Sequence, residues 1–531
     1  MKKVTIPYNE TGYFSKIIHD YLKKDDFLKH FYSHEPEIAS FEQAIAEKNK
    51  ENIDRDLLAE TLHQQYANSS RHEAVRSNIE LFREKNTYCI VTAHQLNIFT
   101  GPLYVIYKIV STINACNQLK KVYPAKNFIP VFWMGSEDHD FAEINHFHLF
   151  GKNYVWNTEA KGAAGRLDPR SIAPVLEELK TVLGESESAV QIIEIFSNAY
   201  LQQTTLSAAV RSYLNALFGD HGLVIVDGDD EVFKSLCKDI MEDELLQQSS
   251  FTLVTESNKQ LEQEYIIQAN PREINLFYLQ ENFRERIVFN QQTGEFNVLN
   301  SDISFTKEEL LKEIQQKPRQ FSPNVILRPL FQQKVLPALA YVGGGGEIAY
   351  WLQLKKLFHY HQIAFPVLML RNSVLWIDDA SAKKLDKLSL TPADIFLPAD
   401  TLINNFMKNH SGDSFLLSEN KTRIDHEFAG ILQKAILIDP TLEKTILAEK
   451  QMIMNSLDKL EAKLLKAEKQ KLDTTIQQIR NVRTKLFPEG GLQERHDNFM
   501  PFSLRHGTNF FSKLFENLNP FDASYTILVD N

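Results

Sequence analysis

Glu137, Asp138, His139 and Asp140 stand in a row two residues after the apolar run PVFWM at 130–134. Ionisable groups beside an apolar strand are costly to bury unless they are paired or used. Two chemistries compete for them. In one, the carboxylates orient His139 and hold a substrate ammonium group. In the other, His139, His146 or His148 joins Asp138 or Asp140 around a divalent metal, although the spacing matches no zinc pattern. A solvated acidic helix start is the structural alternative. Asn145 follows closely and belongs to the same candidate cluster.

Three further clusters carry suitable side chains. Thr92, His94, Gln95 and Asn97 follow the apolar run 88–91 and precede Gly101-Pro102. The backbone N–H groups of a helix starting there would favour an anion, and His94 can donate a hydrogen bond or shuttle a proton. Tyr104 and Lys108 lie on the first turns of that helix. Tyr341 precedes four glycines, Gly343, Gly344, Gly345 and Gly346, and then Glu347. Such a run lets backbone approach a ligand closely, and Glu347 is otherwise a first-turn dipole partner. Gly490, Gly491, Gln493, Glu494 and Arg495 form the last cluster. Together with Arg371 they are compatible with a second nucleotide phosphate site, or with a helix stop and a surface ion pair.

The elements that must position these groups read as an α/β protein. Residues 1 to about 85 are polar with helical spacing. The run 88–91, the helical pattern Leu103, Ile106, Val110, Ile113, and the run 128–134 make a strand–helix–strand unit, hence a parallel sheet. Thr100 or Gly101 is read as the helix cap, with Pro102 in the first turn. Further strands are expected at 222–228, 324–328 and 364–370, the fourth ending at Arg328 and the fifth running into Arg371. Strands that end in polar residues suit a doubly wound sheet with its ligand beyond their carboxyl ends. The stretches of roughly 150–220 and 230–320 read as helical or mixed insertions.

Between 441 and 486 there is no glycine, and Ile453, Leu457, Leu460, Leu464 and Ala467 alternate four and three apart. Glu461, Lys463 and Lys466 fill intervening positions, so a long helix with a short coiled-coil seam is expected, weakening at 471–475. Ile476, Ile479 and Val482 continue the stripe, and 525–529 reads as a last strand rejoining the core. The expected divisions are 1–376 for the core, 377–488 for the coiled coil and 489–531 for a returning segment.

Composition excludes several classes. The 531 residues are 43% hydrophobic and 24% charged, which excludes disordered, collagenous and disulfide-scaffold proteins. A formal charge of −11 disfavours general binding to nucleic acid or an anionic membrane. Three cysteines, without CxxC spacing, suit a reducing compartment. No leader-type apolar segment and no bilayer-length apolar run is seen, so a cytoplasmic location is expected.

Five motifs in order, TAHQLNIFTGP at 92–102, PVFWMGSEDHDF at 130–141, SPNVILRP at 322–329, GGGGE at 343–347 and LFPEGGLQER at 486–495, resemble those of the bacillithiol-biosynthesis cysteine-adding enzymes. The resemblance spans essentially the whole chain. It implies a Rossmann-like parallel-sheet core akin to class I nucleotidyltransferases and synthetases, with connecting-peptide insertions and a coiled-coil arm supporting a homodimer. The implied reaction joins the cysteine carboxyl to the amine of glucosaminyl-malate, with ATP or ADP as the implied nucleotide and no metal. By that resemblance Thr92, His94, Gln95, Asn97 and Gly101 match the phosphate-holding motif. Glu137, Asp138, His139 and Asp140 serve the ammonium or the attacking amine, and Arg328 meets an anion. The motif carries Ala93 and Gly345 where the family usually has Gly and Pro, and no second lysine-rich loop is evident.

Overall fold

The computed structural model describes residues 1–69, 72–411 and 417–530. The chain divides into two compact units, one of Pro7–Val374 with Gln493–Thr526, the other of Met1–Ile6, Leu375–Leu492 and Ile527–Asn531.

The larger unit is built on a sheet that has, among the described residues, five parallel strands. They are β1 (Thr87–His94), β2 (Asn127–Met134), β3 (Val224–Asp227), β4 (Ala338–Gly343) and β5 (Val367–Leu370). Their spatial order is β5-β4-β1-β2-β3. The chain therefore runs outward from β1 in one direction, then returns to β1's other side with β4. Ligands of doubly wound sheets sit where the strand order reverses, beyond the carboxyl ends. Here that point lies between His94, at the end of β1, and Gly343, at the end of β4.

Why these residues make strands is plain from burial. All of β2 after Asn127, and all of β1 before His94, is buried, and both read as unbroken apolar or β-branched runs. That is the pattern of strands covered on both faces. Helix α1 (Tyr104–Val122) connects β1 to β2 and buries Val105, Ile106, Ile109, Val110 and Ile113. The connection is the expected βαβ crossover.

Two strand expectations need correction. The run 324–328 is not a core strand. A short strand, Phe321–Pro323, pairs instead with Leu276–Gln280 in an antiparallel sheet. Asn324 Oδ1 then accepts the backbone N–H of Ile326 at 2.8 Å, turning the chain into helix α2 (Arg328–Val335). The fourth parallel strand is β4. Likewise Ser524–Val529 is a strand, but it joins a three-stranded sheet with Lys2–Pro7 and Val374–Ile377, apart from the parallel one. The N-terminal 85 residues are mainly helical, as their spacing predicts, after that opening strand.

The insertions are mixed. Ala173–Leu183, Glu187–Gln202 and Leu206–Phe218 are helices. An antiparallel sheet follows, containing Leu276–Gln280 and Phe283–Asn290.

In the smaller unit the long helix is divided. Glu443–Lys471 and Asp473–Leu486 part at Leu472, inside the stretch where the seam weakens. Ser418–Ile438 packs antiparallel on the first of these, with Lys421 held 2.8 Å from Asp458 and 2.7 Å from Glu461. The second buries Ile476, Ile479, Val482 and Leu486. Ile453, Leu460 and Leu464 of the expected seam stay exposed.

Candidate functional site

A cavity of about 590 Å³ opens at the switch point of the parallel sheet, entirely within the larger unit. Its floor comes from the ends of β1, β2 and β4. One wall is α1, and the opposite wall is the antiparallel insertion with the turn 323–325 and Arg328.

Helix α1 contributes Tyr104 and Lys108. Lys108 is 1% exposed, and its Nζ donates to the Ala93 carbonyl at 2.7 Å and meets Glu347 Oε2 at 2.6 Å. Glu347 sits on helix α3 (Gly345–Trp351) and also accepts the Tyr341 hydroxyl at 2.5 Å and the Gly344 N–H at 2.8 Å. Burial alone would raise its pKa, but Lys108, Tyr341 and the Gly344 N–H hold the carboxyl at about 2. Glu347 is thus a first-turn helix cap, as one sequence reading has it, and also an ion-pair partner of Lys108 at the cavity.

His94 closes the end of β1, with its Nε2 3.0 Å from the Tyr104 hydroxyl. Burial first, and the Lys108 charge second, push its pKa down to about 3, so the ring is neutral at ordinary pH. Beside it, Gln95 donates to Asp138 Oδ2 at 2.7 Å and to Glu143 Oε2 at 2.6 Å. Asp138 Oδ1 accepts the His139 N–H at 2.8 Å. Although burial opposes it, the Gln95 bond, the Arg284 charge and those N–H bonds lower the Asp138 pKa. Glu137 is ion-paired to buried Lys234, and burial raises its pKa against that pairing.

The cavity's arginines divide into two sets. Arg371 is clamped by Glu494 through 3.0 and 2.8 Å bonds, yet its buried Nε finds no hydrogen-bond partner and lies beside Gly344. Arg495, the residue after Glu494, lines the same cavity. Across from them Arg328 donates to Gln332 and to the Tyr350 hydroxyl, its guanidinium 5.8 Å from the Tyr341 ring centre. Arg284, on Phe283–Asn290, completes this second set.

The structure therefore gathers His94, Gln95, Tyr104, Lys108, Glu137, Asp138, Arg328, Tyr341, Gly344, Gly346, Glu347, Arg371 and Arg495 around one cavity. Arg371 and Arg495 border this cavity rather than a second one, and Gly490 and Gly491 belong to the smaller unit. Several other sequence candidates have structural work. Thr92 is buried and donates to the Val342 carbonyl at 2.8 Å, pinning β1 to β4. Asn97 packs under Gly101, where a Cβ would come within 2.7 Å of it. Gly343 and Gly345 face Tyr341 and Ile18. Gln493 is buried, its carbonyl accepting the His496 N–H at 3.1 Å.

Asn145 Oδ1 lies 3.3 Å from His146 Nδ1, and His139 and Asp140 are exposed beside the cavity without lining it. The helix start is not capped by Thr100 or Gly101. Phe99, Thr100 and Gly101 all take positive φ, and the Leu103 N–H donates to the Asp497 carbonyl at 2.8 Å. An anion there would find that donor already used.

Sequence reasoning missed Arg284, Phe277, Gln268, Tyr350 and Lys234. Lys234 had a local signal, a lysine soon after β3, but the others come from insertion segments or an apolar helix with no motif. Among the described residues no three His, Cys, Asp or Glu side chains converge to hold a metal ion. No helix of the described residues is long and apolar enough to cross a membrane.

The family profile described as "Bacillithiol biosynthesis BshC, N-terminal Rossmann-like domain" matches residues 1–372. The one described as "Bacillithiol biosynthesis BshC, C-terminal coiled-coil domain" matches 374–529. A relative from Flavobacterium psychrophilum, named "Putative cysteine ligase BshC", is 44% identical over 98% of each chain. One of the same name from Flavobacterium johnsoniae is 42% identical over 98% of this chain and 99% of its own. Another, from Chlorobaculum tepidum, is 28% identical over 96% and 92%. With its Rossmann-like sheet, its coiled-coil hairpin and its motifs gathered at the switch point, the chain belongs to the bacillithiol-biosynthesis BshC family.

Proposed function

We propose that the chain is a cysteine ligase that joins the carboxyl group of L-cysteine to the amine of glucosaminyl-malate, giving bacillithiol. The observation that carries this reading is the polarity of the cavity. Asp138 and Glu137 form an acidic end with Arg284 beside it, while Arg328, Arg371 and Arg495 border the remainder, together with the mutually paired Lys108 and Glu347. An amino acid entering such a cavity places its ammonium against Asp138 and its carboxylate toward the cations.

A carboxylate reacts with an amine only after its oxygen becomes a leaving group, and a bound nucleotide supplies that activation. The residues present fit a polyphosphate: Arg371 has an unpartnered buried Nε beside Gly344, and Arg495 lines the same cavity. The chain's own groups then do three things. Asp138 fixes the ammonium, held in place by Gln95 and two backbone N–H groups. Neutral His94 and Tyr104 offer uncharged hydrogen bonds near the reacting carboxyl, where oxygen charge develops. The paired Lys108 and Glu347 hold α1 against the glycine loop, fixing the distance between the two halves of the sheet.

The same reading makes the protein a cytoplasmic homodimer, with the hairpin of Ser418–Ile438 and Glu443–Lys471 as its arm. Support for the dimer is the exposed apolar surface of that hairpin, including Leu437, Ile438 and Leu460.

The test is mass spectrometry of the purified chain incubated with cysteine and glucosaminyl-malate, with and without ATP. Bacillithiol with AMP identifies adenylate formation, and bacillithiol with ADP identifies phosphoryl activation. Asp138→Asn should abolish product while leaving the unfolding transition in place. Undiminished turnover in that variant overturns the assignment of the acidic end.

A further inference from the structure

Arg284 and His139 form a contact that no sequence motif connects. Arg284 lines the cavity and is 8% exposed. Its guanidinium is fixed on three sides. Nε donates to Ser322 Oγ at 2.9 Å, Nη2 donates to the Pro323 carbonyl at 3.0 Å, and its central carbon lies 3.9 Å from the Phe277 ring centre. The remaining nitrogen, Nη1, donates to His139 Nδ1 at 2.9 Å.

This last bond dictates the state of the imidazole. A guanidinium offers donors only and keeps its proton, so His139 Nδ1 must present a lone pair. The ring nitrogen facing Arg284 is then occupied as an acceptor. Asp138 Oδ1 stands 3.8 Å from the same nitrogen, too far for a hydrogen bond, and it already accepts two backbone N–H groups. His139 itself does not line the cavity.

Arg284, by contrast, does line it, and among the described residues it is salt-bridged to no carboxylate. The acidic groups that act on it from a distance are Glu137, Asp138 and Asp229. Each is bound elsewhere: Glu137 to Lys234, Asp138 to Gln95, and Asp229 to Arg166 and Arg319. A buried cation without its own counter-charge is expensive unless an anion joins it.

We infer that Arg284 is an oxyanion-binding residue of the cavity, taking a carboxylate or phosphate group of a bound substrate. His139 is the positioning residue that holds Arg284 through an unprotonated Nδ1, rather than a base acting on substrate. The inference rests on this cavity being the reaction site, as proposed above.

Calorimetric titration of the full chain with L-malate and, separately, with ADP reads binding without turnover. Arg284→Met should weaken at least one probe by about tenfold or more, the loss of a charge-assisted hydrogen bond. Arg284→Lys, which keeps the charge but not the fork, should fall between, and guards against a folding defect in the first variant. Weakening of malate alone assigns a carboxylate to Arg284, and weakening of ADP alone assigns a phosphate.

His139→Asn places an amide oxygen near the former Nδ1 and should bind within about twofold of the unaltered chain, whereas His139→Leu should lose roughly three- to tenfold. Unchanged affinity for both probes in Arg284→Met, or no affinity of the unaltered chain for either, overturns the recognition role. Product formation in His139→Asn as poor as in His139→Leu, with binding intact, overturns the positioning role. Failure of the unaltered chain to make bacillithiol defeats the proposed function instead, and leaves the binding results standing.

Discussion

Lys108 Nζ lies 2.6 Å from Glu347 Oε2, joining the helix after β1 to the helix after β4 across the switch point of the sheet. The two residues are 239 positions apart, 347 − 108, and each is the principal counter-charge of the other. Breaking such a pair from one side leaves a buried charge alone, which costs about 3–5 kcal/mol. Lys108→Met should therefore lower the unfolding free energy by that order, measured by urea denaturation. The double variant Lys108→Met with Glu347→Gln should be less destabilised than the sum of the singles, the sign of direct coupling.

His94 gives a pH dependence with a definite sign. Its folded-state pKa is about 3 and its ordinary value 6.5, so below 6.5 the unfolded chain binds a proton that the folded chain refuses. Stability from this group is complete above 6.5 and falls as pH drops toward 3, approaching about 1.4 kcal/mol per pH unit. His94→Gln should flatten the stability profile between about pH 6.5 and pH 5. The Glu347 contribution appears only below its ordinary value of 4.5, and burial also lowers His221 and His361, so His94 is read from the difference between the variant and the unaltered chain rather than from the slope itself.

Thr92 sits in the most recognisable motif, yet its hydroxyl is spent on the Val342 carbonyl. Thr92→Val should cost about 1 kcal/mol of stability, the usual worth of one hydrogen bond, and leave kcat and KM unchanged. A raised KM or a loss of kcat with stability intact would return Thr92 to the phosphate-holding role that the resemblance implies.

Glu494 is 0% exposed, and it accepts two bonds from Arg371 and the Val374 N–H at 3.0 Å. Glu494→Gln leaves the Arg371 cation underpaired beside the glycine loop. The expected result is a destabilisation of about 3 kcal/mol or more together with a raised KM for nucleotide. Urea unfolding and steady-state kinetics on the same preparation check both halves.

What the sequence revealed, and what it withheld, follows from how each signal is encoded. β1, β2 and β5 are short apolar runs ending in polar residues, and these were readable because strands covered on both faces carry no polar interruptions. The run at 324–328 has the same look but becomes a turn, because Asn324 supplies its own hydrogen-bond acceptor. β4 was hidden by its composition: Ala338 and Ala340 lower its strand propensity, and only burial in the middle of the sheet makes it a strand. Within the site, His94, Asp138 and Glu347 were legible because each ends a strand or lies within four residues of a strand end. Arg284 was not, since it reaches the cavity from an antiparallel hairpin whose own sequence, FRERIVFN, only alternates. Tertiary placement of an insertion leaves no local trace.

The hydrogen bond between Thr92 and Val342 spans 250 positions, and it sits at the middle of the sheet rather than at its rim. During synthesis β1, β2 and β3 emerge well before β4. At five to twenty residues per second, the inner edge of β1 waits on the order of 10–50 s for its neighbour. Throughout that interval a buried-type strand presents unpaired N–H and C=O groups to every other nascent chain nearby. The pairing that creates the ligand cavity is therefore also a late step, before which the free edge of β1 is open to misassembly between nascent chains. Slowed elongation through 228–337, or loss of a chaperone that shields strand edges, should reduce the yield of this protein before it touches any catalytic property.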